Sequence, residues 1–366
     1  MPREDVDLDS VVAFLKTKDL PDEDYLSSLK KLGELHCLRI EYSRVQQRVP
    51  YGLEVYPSTP SVTRAPCVDT LDTLRFYATL IGIDKYPSFP LNGCVSDVRL
   101  MKKYLTKDLG VPHDRIQLLL GCEEHTSPED PMCPSRAHII DALLSIVTNP
   151  QIEYGDNIII YYAGHGSYYP PERGETLIVN EYIDTLCPID RDIVNDGKPV
   201  PDISDREFNT ILTLISRAKG DHITVILDCC HSGSVSRGLP EPGARITYPM
   251  VRATLHDMLV AGEERLEMYP GYCPILDEHW QPNMESHVVL AACKKHQFAK
   301  AKEVEGTAGA VEYIGIFTDS LVRTLQSDCY KKETTYADLV RFLDKTPHQT
   351  PVVAGKRKDA RVWYPE

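Results

Sequence analysis

A chain of 366 residues with 42% hydrophobic content has ample material for a packed core, one large domain with extensions. Its formal charge of −14, from 40 basic and 54 acidic residues, disfavours non-specific nucleic-acid binding and anionic membrane surfaces, and it attracts cationic substrates. The N-terminus MPREDVDLDS is polar and acidic, unlike a signal peptide, and no apolar run approaches the ~20 residues of a membrane helix. Eleven cysteines, an odd count without a secretory signal, point to free thiols in a reducing compartment. A cytoplasmic protein is expected, with the nucleus as the other compartment open to it.

Residues 1–45 carry Val11, Val12, Phe14 and Leu15, then Leu26, Leu29, Leu32 and Leu35, at helical spacing, so an N-terminal helical extension is expected there. Residues 46–74 hold four prolines with little periodicity and are expected to form a linker or strap. From residue 75 the pattern changes. Residues 75–84 are a buried-strand run, 93–110 an amphipathic helix stopped by Gly110, 115–121 a strand, and 135–149 a helix. An acidic surface loop is expected at 122–134. Residues 156–166 run from strand into a polar turn, and 204–220 are a helix with Ser204 as N-cap and Glu207 three residues on. A strand follows at 222–233, and a proline-bearing insertion of mixed character at 239–285. The chain closes with a strand at 286–293, two helices and a last strand. The strands are continuously apolar and alternate with helices, which implies an α/β fold with a mostly parallel sheet covered on both faces, over residues 75–366.

In such a sheet, chemistry gathers at the carboxyl ends of the strands. Two strands end there in polar, glycine-flanked tips, YYAGHGS around His165 and LDCCHSGS around Cys229 and Cys230. Gly164 and Gly166 permit tight turns and are expected to leave the imidazole uncovered. If the strands are neighbours, ~4.8 Å apart, an imidazole on one tip can take the proton of a thiol on the next. The thiolate would attack a peptide carbonyl, and the imidazolium would protonate the leaving amine. The amides of Gly166 and Cys230 are suited to hold the oxyanion. A zinc site from His165, Cys229, Cys230 and His231 is the competing reading. It is disfavoured because adjacent residues on an extended chain point to opposite sides and the C-x2-C spacing is absent. A thioredoxin-type redox site also lacks its C-x-x-C.

These motifs resemble the two catalytic motifs of the caspase-like cysteine peptidases, specifically the metacaspases. LNGCVSDVRLMKKYL is similar to the family's Gly-Cys-x-x-Asp segment, and VVLAAC and TYADLVRF to its C-terminal part, so the similarity runs over about residues 75–356. The resemblance implies a caspase-like three-layer αβα sandwich. It implies a cysteine endopeptidase with Cys230 as nucleophile, His165 as base and Cys229 as packing. It also implies cleavage after Arg or Lys, with Cys94, Asp97 and Asp228 forming an acidic S1 pocket for the guanidinium or ammonium. Ala163 stands where relatives often have serine. Protein or peptide substrates, a monomer, zymogen processing and a cell-death role are the family's implications for partners and regulation.

Calcium is where the sequence departs from the family. Asp190 and Asp205 match two of four ligand aspartates, but Arg206 and Arg237 stand at the other two, so no cofactor is required and Ca2+ dependence is expected to be weak or absent. Arg245, Arg252 and Arg265 in the insertion are candidate self-cleavage sites. A catalytically inactive scaffold of the same fold is the alternative function.

Overall fold

The computed structural model describes residues 73–173, 178–179, 181–195, 197–230, 244–247, 249, 252–294, 297–305, 311–346 and 348–363. The expected helical extension at 1–45, nearly all of the 46–74 linker, His231 and Arg237 lie outside the described residues.

β1 (Phe76–Ile83) is buried at all eight positions. α1 (Cys94–Lys103) follows and widens into a π-helical turn over Tyr104–Asp108 before Gly110, which adopts φ 76°. β2 (Ile116–Gly121) and the mostly exposed 122–132 loop lead to α2 (Arg136–Thr148), capped by the Ser135 side chain accepting from His138 N–H. β3 (Asn157–Ala163) is fully buried. The sequence reading left the next stretch unassigned. It forms a small antiparallel sheet of β4 (Gly166–Tyr169), β5 (Ile183–Leu186) and β6 (Ile203–Ser204) in the order β6-β5-β4. α3 (Asp205–Lys219) is capped by Ser204 accepting from Glu207 N–H. Glu207 does not return the bond. Its buried carboxylate takes Arg136 Nη2 at 2.6 and 2.8 Å, which ties α2 to α3.

β7 (Ile223–Asp228) is again fully buried. The insertion carries its own helix, α4 (Leu255–Leu266), started by a complete Thr254–Asp257 capping box. Met258 and Leu259 of α4 join Tyr169, Val179 and Ile183 in a satellite core over the small sheet. Arg206 fastens the rest of the insertion. Its guanidinium donates to the carbonyls of Ile275 and Asp277 and lies 5.3 Å over the Trp280 ring. β8 (Val288–Ala291), the hairpin β9 (Ala301–Glu305) and β10 (Val311–Gly315), α5 (Ile316–Leu325), α6 (Tyr336–Phe342) and β11 (Val352–Ala354) complete the order.

The central sheet runs β11-β8-β7-β3-β1-β2, all parallel except β11. α1, α5 and α6 pack together, and α2 packs with α3, giving the expected three-layer αβα sandwich. Continuous apolarity makes this arrangement, because a strand buried on both faces must be covered twice. The registers Gly82↔Ala163 and Ala163↔Asp228 align the ends of β1, β3 and β7. Asp84, His165 and Cys230 therefore leave the sheet at one level, each two residues past its aligned partner. Among the described residues, no helix is long and apolar enough to cross a membrane.

Candidate active site

β3 and β7 are hydrogen-bonded neighbours, so His165 and Cys230 sit on adjacent tips. Their glycines serve close approach. A Cβ on Gly164 would meet the hydroxyls of Tyr86 and Tyr162 at 2.6 and 2.7 Å, and one on Gly166 would meet the Cys230 carbonyl at 2.1 Å. The imidazole is not uncovered as expected: His165 is 3% exposed, its ring centroid 4.6 Å from that of Tyr86 and tilted against it. Tyr86 Oη accepts the His165 backbone N–H at 2.9 Å, and Tyr162 Oη donates to the His165 carbonyl at 2.7 Å. Sequence reasoning missed both tyrosines.

His165 Nε2 lies 2.6 Å from the Phe89 carbonyl. A carbonyl only accepts, so Nε2 carries the proton and Nδ1 is left as the basic nitrogen. Nδ1 is buried and has no hydrogen-bond partner. Phe89 presents this carbonyl from φ 58°, a left-handed conformation costly for a non-glycine residue. Burial drives the imidazole pKa down to about 3, and the nearby Arg191 and Arg245 push the same way, so the ring is neutral.

Cys230 is 1% exposed, and its Sγ accepts Ala299 N–H at 3.1 Å. Burial, reinforced by the neighbouring Cys293 thiol, holds its thiol well above the usual range. No hydrogen bond joins Cys230 to His165 in this state, so a rotation of the thiol precedes any proton transfer between them. Cys229 is wholly buried in the core.

Residues 244–247 lie across these tips as an added strand. Ala244 bridges Lys300, Arg245 N–H donates to Ala299 O at 3.1 Å, Ile246 bridges Gly166, and Thr247 N–H donates to Gly166 O at 3.0 Å. The Arg245 carbonyl accepts two backbone amides, Gly166 N–H at 3.0 Å and Cys230 N–H at 3.2 Å. These are the two amides expected to hold an oxyanion.

The Arg245 side chain enters an acidic, fully buried pocket. Nη2 donates to Asp97 Oδ2 at 2.6 Å. Nη1 lies 2.9 Å from Asp228 Oδ1 as an ion pair and aims its hydrogen bond at the Asp228 carbonyl, 3.2 Å away. Cys94 is buried beside them, near enough to perturb Arg245. All three expected pocket residues are thus brought together around one guanidinium. Three further parts were not read from the sequence. Asp84 accepts Cys94 N–H at 2.8 Å and Val95 N–H at 3.2 Å, anchoring α1 so that Asp97 faces the pocket. Gly315 forms the floor: its N–H donates to Asp97 Oδ1 at 2.6 Å, and a Cβ there would meet Asp228 Oδ2 at 2.4 Å. Thr318 donates its hydroxyl to Asp228 Oδ2 at 2.6 Å and is itself bonded by Tyr161 Oη. Burial raises the Asp97 pKa to about 7, with Arg245 opposing and Asp228 reinforcing it.

Of the other arginines weighed for self-cleavage, Arg265 pairs at the surface with Asp141, and Arg252 N–H donates to Asp192 at 3.0 Å. Neither reaches the site. The two calcium-type aspartates have different neighbours. Asp190 Oδ1 caps Arg136 N–H at 2.8 Å, while Asp205 faces Asp184, and burial raises Asp205 to about 7. Arg206 is committed to the insertion. Among the described residues no cluster of three or more His, Cys, Asp or Glu is placed to hold a metal.

Residues 77–237 match the family model described as metacaspase, peptidase C14 domain. Similar curated proteins include Metacaspase-3 and Metacaspase-4 of Arabidopsis thaliana, each 31% identical over 43% of this chain and covered over 40% and 34% of their own lengths. Metacaspase-1A of Aspergillus fumigatus is 29% identical over 43% of this chain and 35% of its own. The chain thus spans about two fifths or less of those relatives. A solved Geobacter sulfurreducens protein, GSU0716, has a TM-score of 0.49 and 19% identity over 77% of this chain and 94% of that one. The resemblance drawn from the two motifs is borne out over residues 77–237, which match that family model.

Proposed function

We propose that this chain is a cysteine endopeptidase that cleaves protein or peptide substrates after Arg or Lys, with Cys230 as nucleophile and His165 as base. One observation carries the reading. Arg245 lies as a substrate residue would, its guanidinium between Asp97 and Asp228 and its carbonyl between the amides of Gly166 and Cys230.

In the reaction, Cys230 Sγ turns from Ala299 and gives its proton to His165 Nδ1, while Phe89 O keeps Nε2–H in place. The thiolate attacks the carbonyl carbon that follows the basic side chain. The negative charge moves to the oxygen already gripped by two amides, which strengthen as that charge grows. The imidazolium then protonates the leaving amine, and a thioester remains for water to hydrolyse. A lysine ammonium, compact and shorter, would meet the same two carboxylates without the forked fit of arginine. The first bond in line is Arg245–Ile246, so the chain is its own first substrate and the 244–247 segment occludes the site until it is cut or released.

Arginines at two of the four calcium-type positions disfavour a six-oxygen ion, and Ca2+ dependence is weak or absent. Monomeric, cytoplasmic behaviour accords with this reading. The test is hydrolysis of fluorogenic peptides ending in Arg, Lys or Asp by wild type, Cys230→Ala and Cys229→Ala, with and without Ca2+. Cleavage of Arg and Lys peptides, lost only in Cys230→Ala and unmoved by Ca2+, is expected. Absence of activity on every peptide returns the chain to the scaffold alternative, and strong Ca2+ activation means that other ligands serve.

A further inference from the structure

The proposed mechanism leaves one buried nucleophilic group beside the active thiol unused. β7 and β8 pair in parallel with Leu227↔Ala291, which sets Cys229 and Cys293 two residues beyond the last pair and Cys230 one step further. Cys293 Sγ lies 4.0 Å from the Cys229 carbonyl and 3.4 Å from the Gln297 carbonyl, while the loop leaving Cys293 returns to place Ala299 N–H on Cys230 Sγ at 3.1 Å. The Cys293 thiol is near enough to Cys230 to raise its pKa. Both residues are buried free thiols, 1% and 5% exposed. Cys293 Sγ therefore sits against the peptide link that joins Cys229 to Cys230.

We propose that Cys293 is a resolving thiol for Cys230: once the 244–247 segment leaves the site, a peroxide oxidises Cys230, and Cys293 closes it into a reversible Cys230–Cys293 disulfide. The Cys230 thiolate attacks one peroxide oxygen and the O–O bond breaks, giving a sulfenic acid and water. Cys293 Sγ then attacks the Cys230 sulfur, the S–S bond forms and the S–O bond breaks, and the hydroxide leaves as water with the thiol proton. Two thiols surrender two electrons and two protons, and hydrogen peroxide becomes two waters. Without a resolving thiol the sulfenic acid proceeds to sulfinic and sulfonic acids, which thiol reductants do not reverse. The closed chain is protected, since its Cys230 is capped by Arg245 and Ala299 and kept from water. The switch therefore acts on the released, working form. Cys229, wholly buried, and Cys94, in the S1 pocket, are the other buried thiols about the site and the partners to exclude.

The consequence for activity rests on Cys230 being the nucleophile; the chemistry of the pair does not. Full-length wild type, Cys293→Ser and Arg245→Asp, whose added carboxylate expels the 244–247 segment from the acidic pocket, are treated with hydrogen peroxide and mapped by mass spectrometry without reduction. The expected product is a Cys230–Cys293 linked peptide, about 2 Da lighter than its thiols, reversed by dithiothreitol. It forms at least about tenfold faster in Arg245→Asp than in uncleaved wild type. Cys293→Ser instead gains about 32 or 48 Da on Cys230, which dithiothreitol does not remove. Linkage to Cys229 or Cys94, or the same irreversible oxidation in wild type and Cys293→Ser, overturns the proposal. A linked peptide in a chain that hydrolyses no Arg peptide defeats the peptidase reading alone. Arg-peptide hydrolysis without the linkage defeats only the switch.

Discussion

Replacing either pocket carboxylate by its amide removes one charge and almost nothing else. In Asp97→Asn the amide oxygen keeps the Gly315 N–H, now 2.6 Å from Oδ1, and the amide nitrogen faces the guanidinium. In Asp228→Asn the oxygen keeps Thr318, and the nitrogen again faces Arg. The pairs span 2.6 and 2.9 Å between side chains exposed by 1% or less, so water screens them little. At an effective dielectric near 20, two charges ~4 Å apart attract by about 4 kcal/mol before desolvation. Truncating one member of a buried charge pair costs about 2–5 kcal/mol. A loss near 3 kcal/mol corresponds to a fall of about 150-fold in kcat/KM at 1.36 kcal/mol per tenfold. The guanidinium is held alike before and during bond cleavage, so the loss falls mainly on KM. Asp97 titrates about 7, so its charge, and with it the gap between wild type and Asp97→Asn, shrinks as the pH falls through that value. The assay compares peptides ending in Arg and in Gln over pH 6–8. Wild-type kcat/KM for Arg peptides in either variant, or equal losses on both peptides, would falsify the two-carboxylate pocket.

Wild type should split to release a fragment beginning at Ile246, while Arg245→Gln and Cys230→Ala stay intact by mass spectrometry; cleavage after Arg252 or Arg265 in the Arg245→Gln chain would place the first cut elsewhere. Gly315→Ala drives a methyl against Asp228 and to within 3.0 Å of Arg245 Nη1, so Arg-peptide hydrolysis should fall at least about tenfold while the cooperative thermal transition is kept. Tyr86→Phe removes the acceptor of the His165 N–H, which should lower stability by about 1–3 kcal/mol and reduce kcat with KM little changed. The neutral His165 binds no proton in the fold until about pH 3, whereas the unfolded chain binds one below about 6.5. Its contribution is therefore complete above pH 6.5 and lost on acidification. Denaturation of wild type should lose about 2 kcal/mol relative to His165→Gln between pH 6.5 and 5, and parallel pH curves would count against a buried neutral imidazole.

The layers and the meeting of the two tips were legible in the residue pattern. Continuously apolar strands of six to eight residues, each followed by an amphipathic helix, leave few arrangements other than a parallel sheet covered on both faces. Once β3 and β7 are neighbours, equal offsets bring His165 and Cys230 together. The pocket carboxylates Asp97 and Asp228 were legible through the family's motifs, but periodicity alone would have left Asp97 a solvated helix residue. The rest came from contacts between residues far apart in the chain. Arg245 lies fifteen residues beyond Cys230, in a stretch whose composition suggests nothing but a loop. It was one of three arginines with equal claims until main-chain bonds to Ala299 and Gly166 fixed one of them in the pocket. Gly315 and Thr318 come from far along the chain, and Phe89 offers its carbonyl through a turn that no local pattern announces. Periodicity records which face of an element is buried. It carries no record of which distant turn closes over that element's end, because that follows from how the loops pack once the sheet is formed.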